Sequence, residues 1–196
     1  LYTLFAMLML ALRLAATQWA EGIELFVFLI TIATGFGLFI GYSRFKLWFI
    51  ALLGLAYGAF FIHWLYGISL PQHIPWYDRI VEIIWLRLRL SIQQFAMEEP
   101  VTDPILFLAI LAILTWLIGF IAGFSVSRYQ SAWPAILLGG VSLISTSYYD
   151  ASLVRSERYV LIFIFFSIML VGRLNYLRQK QNWQQEQIFP LSLIHI

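Results

Sequence analysis

The chain contains no cysteine, which excludes disulfides, thiolate metal ligands and a cysteine nucleophile from these 196 residues. Charged residues are also scarce. They make up 11% of the chain, whereas about a quarter is usual in a soluble domain. The 12 basic and 10 acidic residues nearly balance, and none of them form the basic run that a nucleic acid would require. We therefore expect no nucleic-acid partner.

Six long apolar stretches take up most of the remaining sequence. A helix needs roughly 20 apolar residues to cross a hydrocarbon core about 30 Å thick. Four stretches reach that length, the fifth is near the lower limit, and the first is short. Because the chain begins at Leu1 and not at Met, we expect residues to be missing upstream. We predict an all-α membrane protein with one six-span domain over 1–190, whose spans are 2–16, 23–42, 46–66, 105–126, 133–149 and 159–177.

The loops between the spans predict an orientation, because Lys and Arg in short loops resist translocation. One set of basic residues lies in two tight turns and the tail: Arg44, Lys46, Arg128, Arg173, Arg178 and Lys180. The opposite loops carry Arg79, Arg87, Arg89, Arg155 and Arg158, together with nine of the ten carboxylates. Only Glu186 lies with the first set. We predict that both chain ends are cytoplasmic and that the lipid partner is a bacterial inner membrane.

Three pairs of glycines, each four residues apart, lie within the spans. They are Gly37 with Gly41, Gly54 with Gly58, and Gly119 with Gly123. In lipid, helices associate through close contact at small residues, since the hydrophobic effect supplies little attraction there. We expect these pairs to pack the second, third and fourth spans within one chain, with dimerisation as the alternative.

The segment between the third and fourth spans is amphipathic. From 76 to 97, apolar residues recur at helical spacing, which predicts a helix lying in the interface plane of the outer loop. The stretch 85–91 instead alternates with period two, as a strand would. A lone strand beside a membrane has no partner for its backbone groups. We therefore predict the helix.

Two polar residues within spans are candidates for function. Arg13 is charged and costly to bury, but it lies near the end of its span, so we expect its long stem to carry the guanidinium to the interface. For His63 we expect an interfacial hydrogen bond in preference to a proton relay. In the loops, His73, Glu98, Glu99 and Asp103 are interpreted as solvated charges and not as a metal site. We predict no catalytic residue, metal or cofactor in this chain.

Several short motifs resemble the start of bacterial transglutaminase-like membrane proteins. They are Trp19-Ala20-Glu21-Gly22, Gly41-Tyr42-Ser43-Arg44-Phe45, residues 79–90, 103–108 and 115–119, and Trp133-Pro134. In that family such a region precedes one more span and a papain-like extracytoplasmic domain that uses Cys, His and Asp. None of those three positions lies in this chain. The resemblance implies that the chain is the anchor and positioning region of such an enzyme, and that the missing domain is its partner.

Two other functions stay open at this point. A small permease or transporter subunit would need broken helices and polar midplane residues, of which the spans offer chiefly Thr31, Thr34, Thr115 and Ser142. A membrane transferase would need Glu98, Glu99 or His73 to converge on a pocket. The last six residues, 191–196, resemble a translated sequencing adapter and are interpreted as a non-native tail.

Overall fold

A computed structural model describes residues 1–70, 73, 75–150 and 156–185. These residues form helices and connecting turns, without a strand among them. Arg155, Glu186 and the tail 191–196 lie outside the described residues. The helices are α1 (Tyr2–Ala15), α2 (Phe26–Gly41, preceded by a 3-10 turn at Ile23–Leu25), α3 (Leu47–Ser69), α4 (Trp76–Asp78), α5 (Trp85–Ala96), α6 (Ile105–Tyr129), α7 (Trp133–Tyr149) and α8 (Ser156–Gln185), and a π-helical stretch, Arg79–Ile84, joins α4 to α5.

Within the described residues, four helical segments are long and apolar enough to cross a membrane: Ile23–Gly41, Leu47–Ile68, Ile105–Tyr129 and Glu157–Trp183. The helices at the other two apolar stretches are shorter, with 14 residues in α1 and 17 in α7. The last helix is longer than its apolar core, because the polar residues after Leu177 include Arg, Lys and Gln, which favour helix.

Helix directions follow from the contacts between helices. Gly37 of α2 lies against Phe120 of α6, and Gly41 lies against Ser127, so α2 and α6 run in the same direction. α3 runs against both of them, since Gly54 meets Phe120 and Gly58 meets Trp116, which comes earlier in α6.

A second group of helices packs around α1. Met7 lies against Gly139 of α7, and Arg13 reaches Asp150 just beyond the end of α7, so α1 and α7 run in the same direction. α8 runs in the opposite direction, because Phe163 also contacts Gly139 while Arg178 bonds the carbonyl of Gln130, which precedes α7. The largest buried cluster joins α1, α7 and α8 through residues such as Met7, Leu143 and Phe163.

The contacts made by loop residues divide between two ends of the bundle. At the first, which we call the acidic end, Arg13 pairs with Asp150, and Arg87 pairs with Asp103. At the opposite end, Arg128 donates to the carbonyl of Ser43, and Arg178 donates to the carbonyl of Gln130 at 2.7 Å. As far as the structure describes them, consecutive loops therefore alternate between the two ends.

The structure confirms helix over most of the predicted amphipathic segment, and α5 rules out the strand alternative at 85–91. Its predicted apolar face is only partly covered. Ile84 is buried, but Ile92 and Phe95 are exposed, while the polar Ser91 is buried in their place. The second half of α5 therefore still packs on the bundle, but through Ser91 and not through Ile92 or Phe95.

Candidate functional site

Arg13 is buried within the acidic end, with its side chain only 1% exposed. Its Nη2 donates to Oδ2 of Asp150 at 2.6 Å, and its Nε lies 3.4 Å from Oγ of Ser147. The guanidinium is therefore shielded from solvent inside the protein, and its level relative to the membrane interface stays a prediction. The side chain turns inward because the end of α7 supplies an opposite charge at the same level.

The Arg13–Asp150 pair links the end of α1 to the end of α7. Both side chains are almost fully removed from solvent, and losing one partner of such a pair costs about 3–5 kcal/mol because the other charge stays buried. Since arginine does not deprotonate in proteins, the pair can fix two helix ends but cannot relay a proton through Arg13. Sequence reasoning counted Asp150 only as a loop acid. The missed signal was that Arg13 and Asp150, which carry opposite charges, lie at the ends of two spans that point to the same end of the bundle.

A second ion pair joins α5 to the start of α6. Nε and Nη2 of Arg87 donate to the two carboxylate oxygens of Asp103 at 2.6 and 2.8 Å, the bidentate geometry that arginine favours. Oδ1 of Asp103 also accepts the backbone N–H of Ile105 at 3.0 Å. The hydrogen bond from Arg87 lowers the pKa of Asp103, and the same bond raises the pKa of Arg87.

This pairing bears on the loop acids considered for a metal site. Asp103 is committed to Arg87 and to the first turn of α6, while Glu98, Glu99 and His73 are exposed. Among the residues that the structure describes, no three His, Asp or Glu side chains converge as a metal site would require.

A polar cavity of about 510 Å³ lies beside the Arg87–Asp103 pair. Its charged lining residues are Glu21 and Glu24, which come before α2, and Arg87 from α5. Tyr66, Ile84 and Ile105 are among its other lining residues. The cavity thus brings together loops that are far apart in the sequence, and its lining carries both signs of charge.

An apolar groove of about 340 Å³ adjoins this cavity and lies between α3, α5 and α6. Tyr66, Ile84 and Ile105 line both spaces. The rest of the groove is formed mainly by apolar side chains, among them Trp85, Ala109 and Trp116. A single site therefore has a charged end and an apolar end.

His63 lies at the edge of the apolar groove. Its Nδ1 is 2.6 Å from the carbonyl oxygen of Ala59, one turn earlier in α3, so the tautomer with the proton on Nδ1 satisfies this contact. Its ring stacks on Trp85, with centroids 5.5 Å apart. The hydrogen bond is thus made within the helix, and the ring contact holds α3 against α5.

The three glycine pairs are packing sites of two kinds. In α2 and α6 they meet backbone: a methyl group at Gly37 would lie 2.9 Å from the nitrogen of Phe124, and one at Gly123 would lie 2.8 Å from the nitrogen of Leu38. In α3, Gly54 and Gly58 instead face the rings of Phe120 and Trp116, as noted above. Nε1 of Trp116 donates to the carbonyl of Gly54 at 2.9 Å.

No family model, curated protein or solved structure matched this chain in three comparisons with known proteins.

Proposed function

We propose that this chain is the membrane-embedded anchor and positioning region of a bacterial transglutaminase-like enzyme, itself without catalytic residues. The family in this proposal is inferred from the short sequence motifs that resemble transglutaminase-like membrane proteins. The structural observation that supports the membrane part most strongly is the division of loop contacts between two ends, because alternate loops of a multi-span protein emerge on opposite sides of the bilayer.

In this proposal all six apolar helices cross the membrane. α1 and α7 are shorter than a typical span, and a bilayer can thin locally around short helices at modest cost. Their pairing through Arg13 and Asp150 supports a joint crossing, since both helices then end at the same level. The distribution of Lys and Arg supports an orientation with the acidic end outside and both chain ends in the cytoplasm.

The segment from Trp76 to Ala96 would lie in the outer interface. Leu86, Leu90, Ile92 and Phe95 are exposed, and the headgroup boundary would cover such side chains. Arg87 and Asp103 tie the segment to the start of α6. The Arg87–Asp103 and Arg13–Asp150 pairs would thus both hold helices together at the outer end. One further crossing after Pro190 would deliver a catalytic domain to that end.

A permease subunit is the second candidate, and one cavity favours it. The cavity has a volume of about 300 Å³, lies between α1, α6 and α7, and includes Thr115, Ser142, Ser145 and Thr146 among its lining residues. Polar groups facing a space inside the bundle are typical of substrate pathways. The hydroxyl of Thr146 also donates to the carbonyl of Ser142 in its own helix at 2.8 Å, so a bond within α7 accounts for part of this feature.

The DNA that follows codon 190 in the source genome tests the proposal. We expect the reading frame to continue through one more apolar span into a domain with Cys, His and Asp at papain-like spacing. A stop codon soon after codon 190 would contradict the anchor function and favour the permease.

A further inference from the structure

We propose that the polar cavity and the apolar groove together bind one membrane phospholipid with a primary-amine headgroup, of the phosphatidylethanolamine class. The headgroup would occupy the polar cavity and an acyl chain the groove. The inference requires membrane insertion but does not depend on a catalytic domain beyond Pro190.

The two adjoining spaces match the two ends of such a lipid. Each falls within about 300–1,000 Å³, the range usual for ligand sites. Because Tyr66, Ile84 and Ile105 line both, a molecule with its polar end in one space and its chain in the other passes along these three side chains. A water-soluble ligand would leave the groove unused, and a plain hydrocarbon would leave the charged cavity unused.

The charges select the headgroup. Glu21 and Glu24 both line the cavity, and the positive charge of Arg87 is already balanced by Asp103. The cavity therefore favours a cation. A primary ammonium has three N–H donors and can bond both carboxylates, whereas a quaternary choline has no N–H to donate. The N–H groups of Arg87 that do not bond Asp103 are suited to the lipid phosphate.

The position of the cavity agrees with a lipid ligand. α3 forms one wall of the groove, and only 17% of its apolar span is buried within the protein, so the groove lies at the lipid-facing side of the bundle. Trp85, also on the groove wall, is 50% exposed. A lipid can therefore enter sideways from the bilayer without a channel through the core.

Native mass spectrometry can test the headgroup preference. The protein would be purified in detergent with equal amounts of phosphatidylethanolamine, phosphatidylcholine and phosphatidylglycerol, and the lipids that stay bound would be counted. We expect the amine lipid to be enriched about threefold to tenfold, since charge-assisted hydrogen bonds of exposed groups are of modest strength. Glu21→Gln/Glu24→Gln should abolish the enrichment. Glu157→Gln, at an exposed acid on α8, is the control and should keep it.

A second pair of variants tests the groove. Ala109→Phe would fill the groove and should reduce the bound amine lipid to the level of the other two lipids. Ala51→Phe, at an exposed position of the same bundle that does not line the groove, should bind as the unmodified chain does. Equal retention of all three lipids, enrichment of the glycerol lipid, or unchanged enrichment in Ala109→Phe would each overturn the proposal.

Discussion

The two faces of α6 show how one sequence spacing can produce two kinds of contact. On one face, the glycines of α2 and α6 bring backbone against backbone. On the other, the glycines of α3 make room for the rings of Phe120 and Trp116. The burial of the two partner helices differs accordingly: 44% of the apolar span that contains α2 is buried, against 17% of that of α3. The spacing of small residues produces a flat helix surface. Whether backbone or an aromatic ring packs against that surface depends on the neighbouring helix.

The two ion pairs repeat this contrast between a tightly packed side and an open side. Arg13 and Asp150 are 1% and 3% exposed, whereas Arg87 and Asp103 are 41% and 26% exposed. The buried pair lies among α1 and α7, and the partly exposed pair lies beside the polar cavity on the α3 side. We therefore expect substitutions on the tightly packed side to cost much more than matched substitutions on the open side.

The largest effect should come from breaking the buried pair. Arg13→Met leaves the Asp150 carboxylate buried without its guanidinium and should lower the free energy of unfolding by about 3 kcal/mol. Titration of the protein in mixed micelles with a denaturing detergent measures this change. Arg13→Met/Asp150→Leu should recover most of the loss, and Arg89→Met, at an exposed arginine, should cost little. Equal losses in Arg13→Met and Arg89→Met would show that the pair is not buried.

A matched pair of glycines tests the contact between α2 and α6. Gly37→Ala would place a methyl group against the backbone of α6, which cannot move aside, and should cost about 2 kcal/mol. Gly35→Ala lies two residues away on the same helix, where a methyl group would meet nothing within 4 Å. It should be neutral or slightly stabilising, since alanine favours helix more than glycine. The same titration measures both, and equal effects would contradict backbone packing.

On the open side, Gly58→Ala should cost less than Gly37→Ala. The new methyl group would lie 2.6 Å from Nε1 of Trp116, but the indole borders the apolar groove and can shift into it. The expected loss is about 1 kcal/mol, the value of the hydrogen bond from Trp116 to Gly54. A loss as large as that of Gly37→Ala would mean that the α3 contact is as rigid as the α2 contact.

The smallest effect should come from the partly exposed pair. Because Arg87 lowers the pKa of Asp103, the ionised carboxylate stabilises the fold at pH values above its ordinary pKa of 3.8. That contribution is lost as the pH falls through the lowered value. The stability difference between the unmodified chain and Asp103→Asn should stay below about 1 kcal/mol at neutral pH and vanish in acid. Thermal unfolding at several pH values measures it, with Glu99→Gln as control. A stability difference that grows in acid would contradict the prediction, because it would mean that folding raises the pKa of Asp103.

The helices could be predicted from the sequence because they follow from local features. These are the length of each apolar stretch and the polar residues that separate one stretch from the next. The Arg13–Asp150 pair could not be predicted in the same way. Its partners are 137 positions apart, and their meeting depends on α1 packing beside α7, which no local pattern specifies. The exposure of Ile92 and Phe95 likewise depends on how α5 packs on the bundle, although their spacing alone marks them as part of an apolar face.

The candidate site was less predictable than the helices. The sequence marked the glycines as packing residues, but not which of them would face backbone and which would face rings. No local pattern indicated that Glu21 and Glu24 would share a cavity with Arg87. The lining of that cavity comes from segments that are far apart in the sequence.

Cysteine accessibility tests the alternating crossings most directly, since the chain has no cysteine of its own. Single cysteines would replace Glu21, Arg44, Glu98, Ser131 and Glu157, and intact cells would be treated with a membrane-impermeant maleimide. We predict labelling at 21, 98 and 157, and labelling at 44 and 131 only after the membrane is permeabilised. Labelling of 131 and 157 from the same side would show that α7 does not cross, and the six-span arrangement would be contradicted.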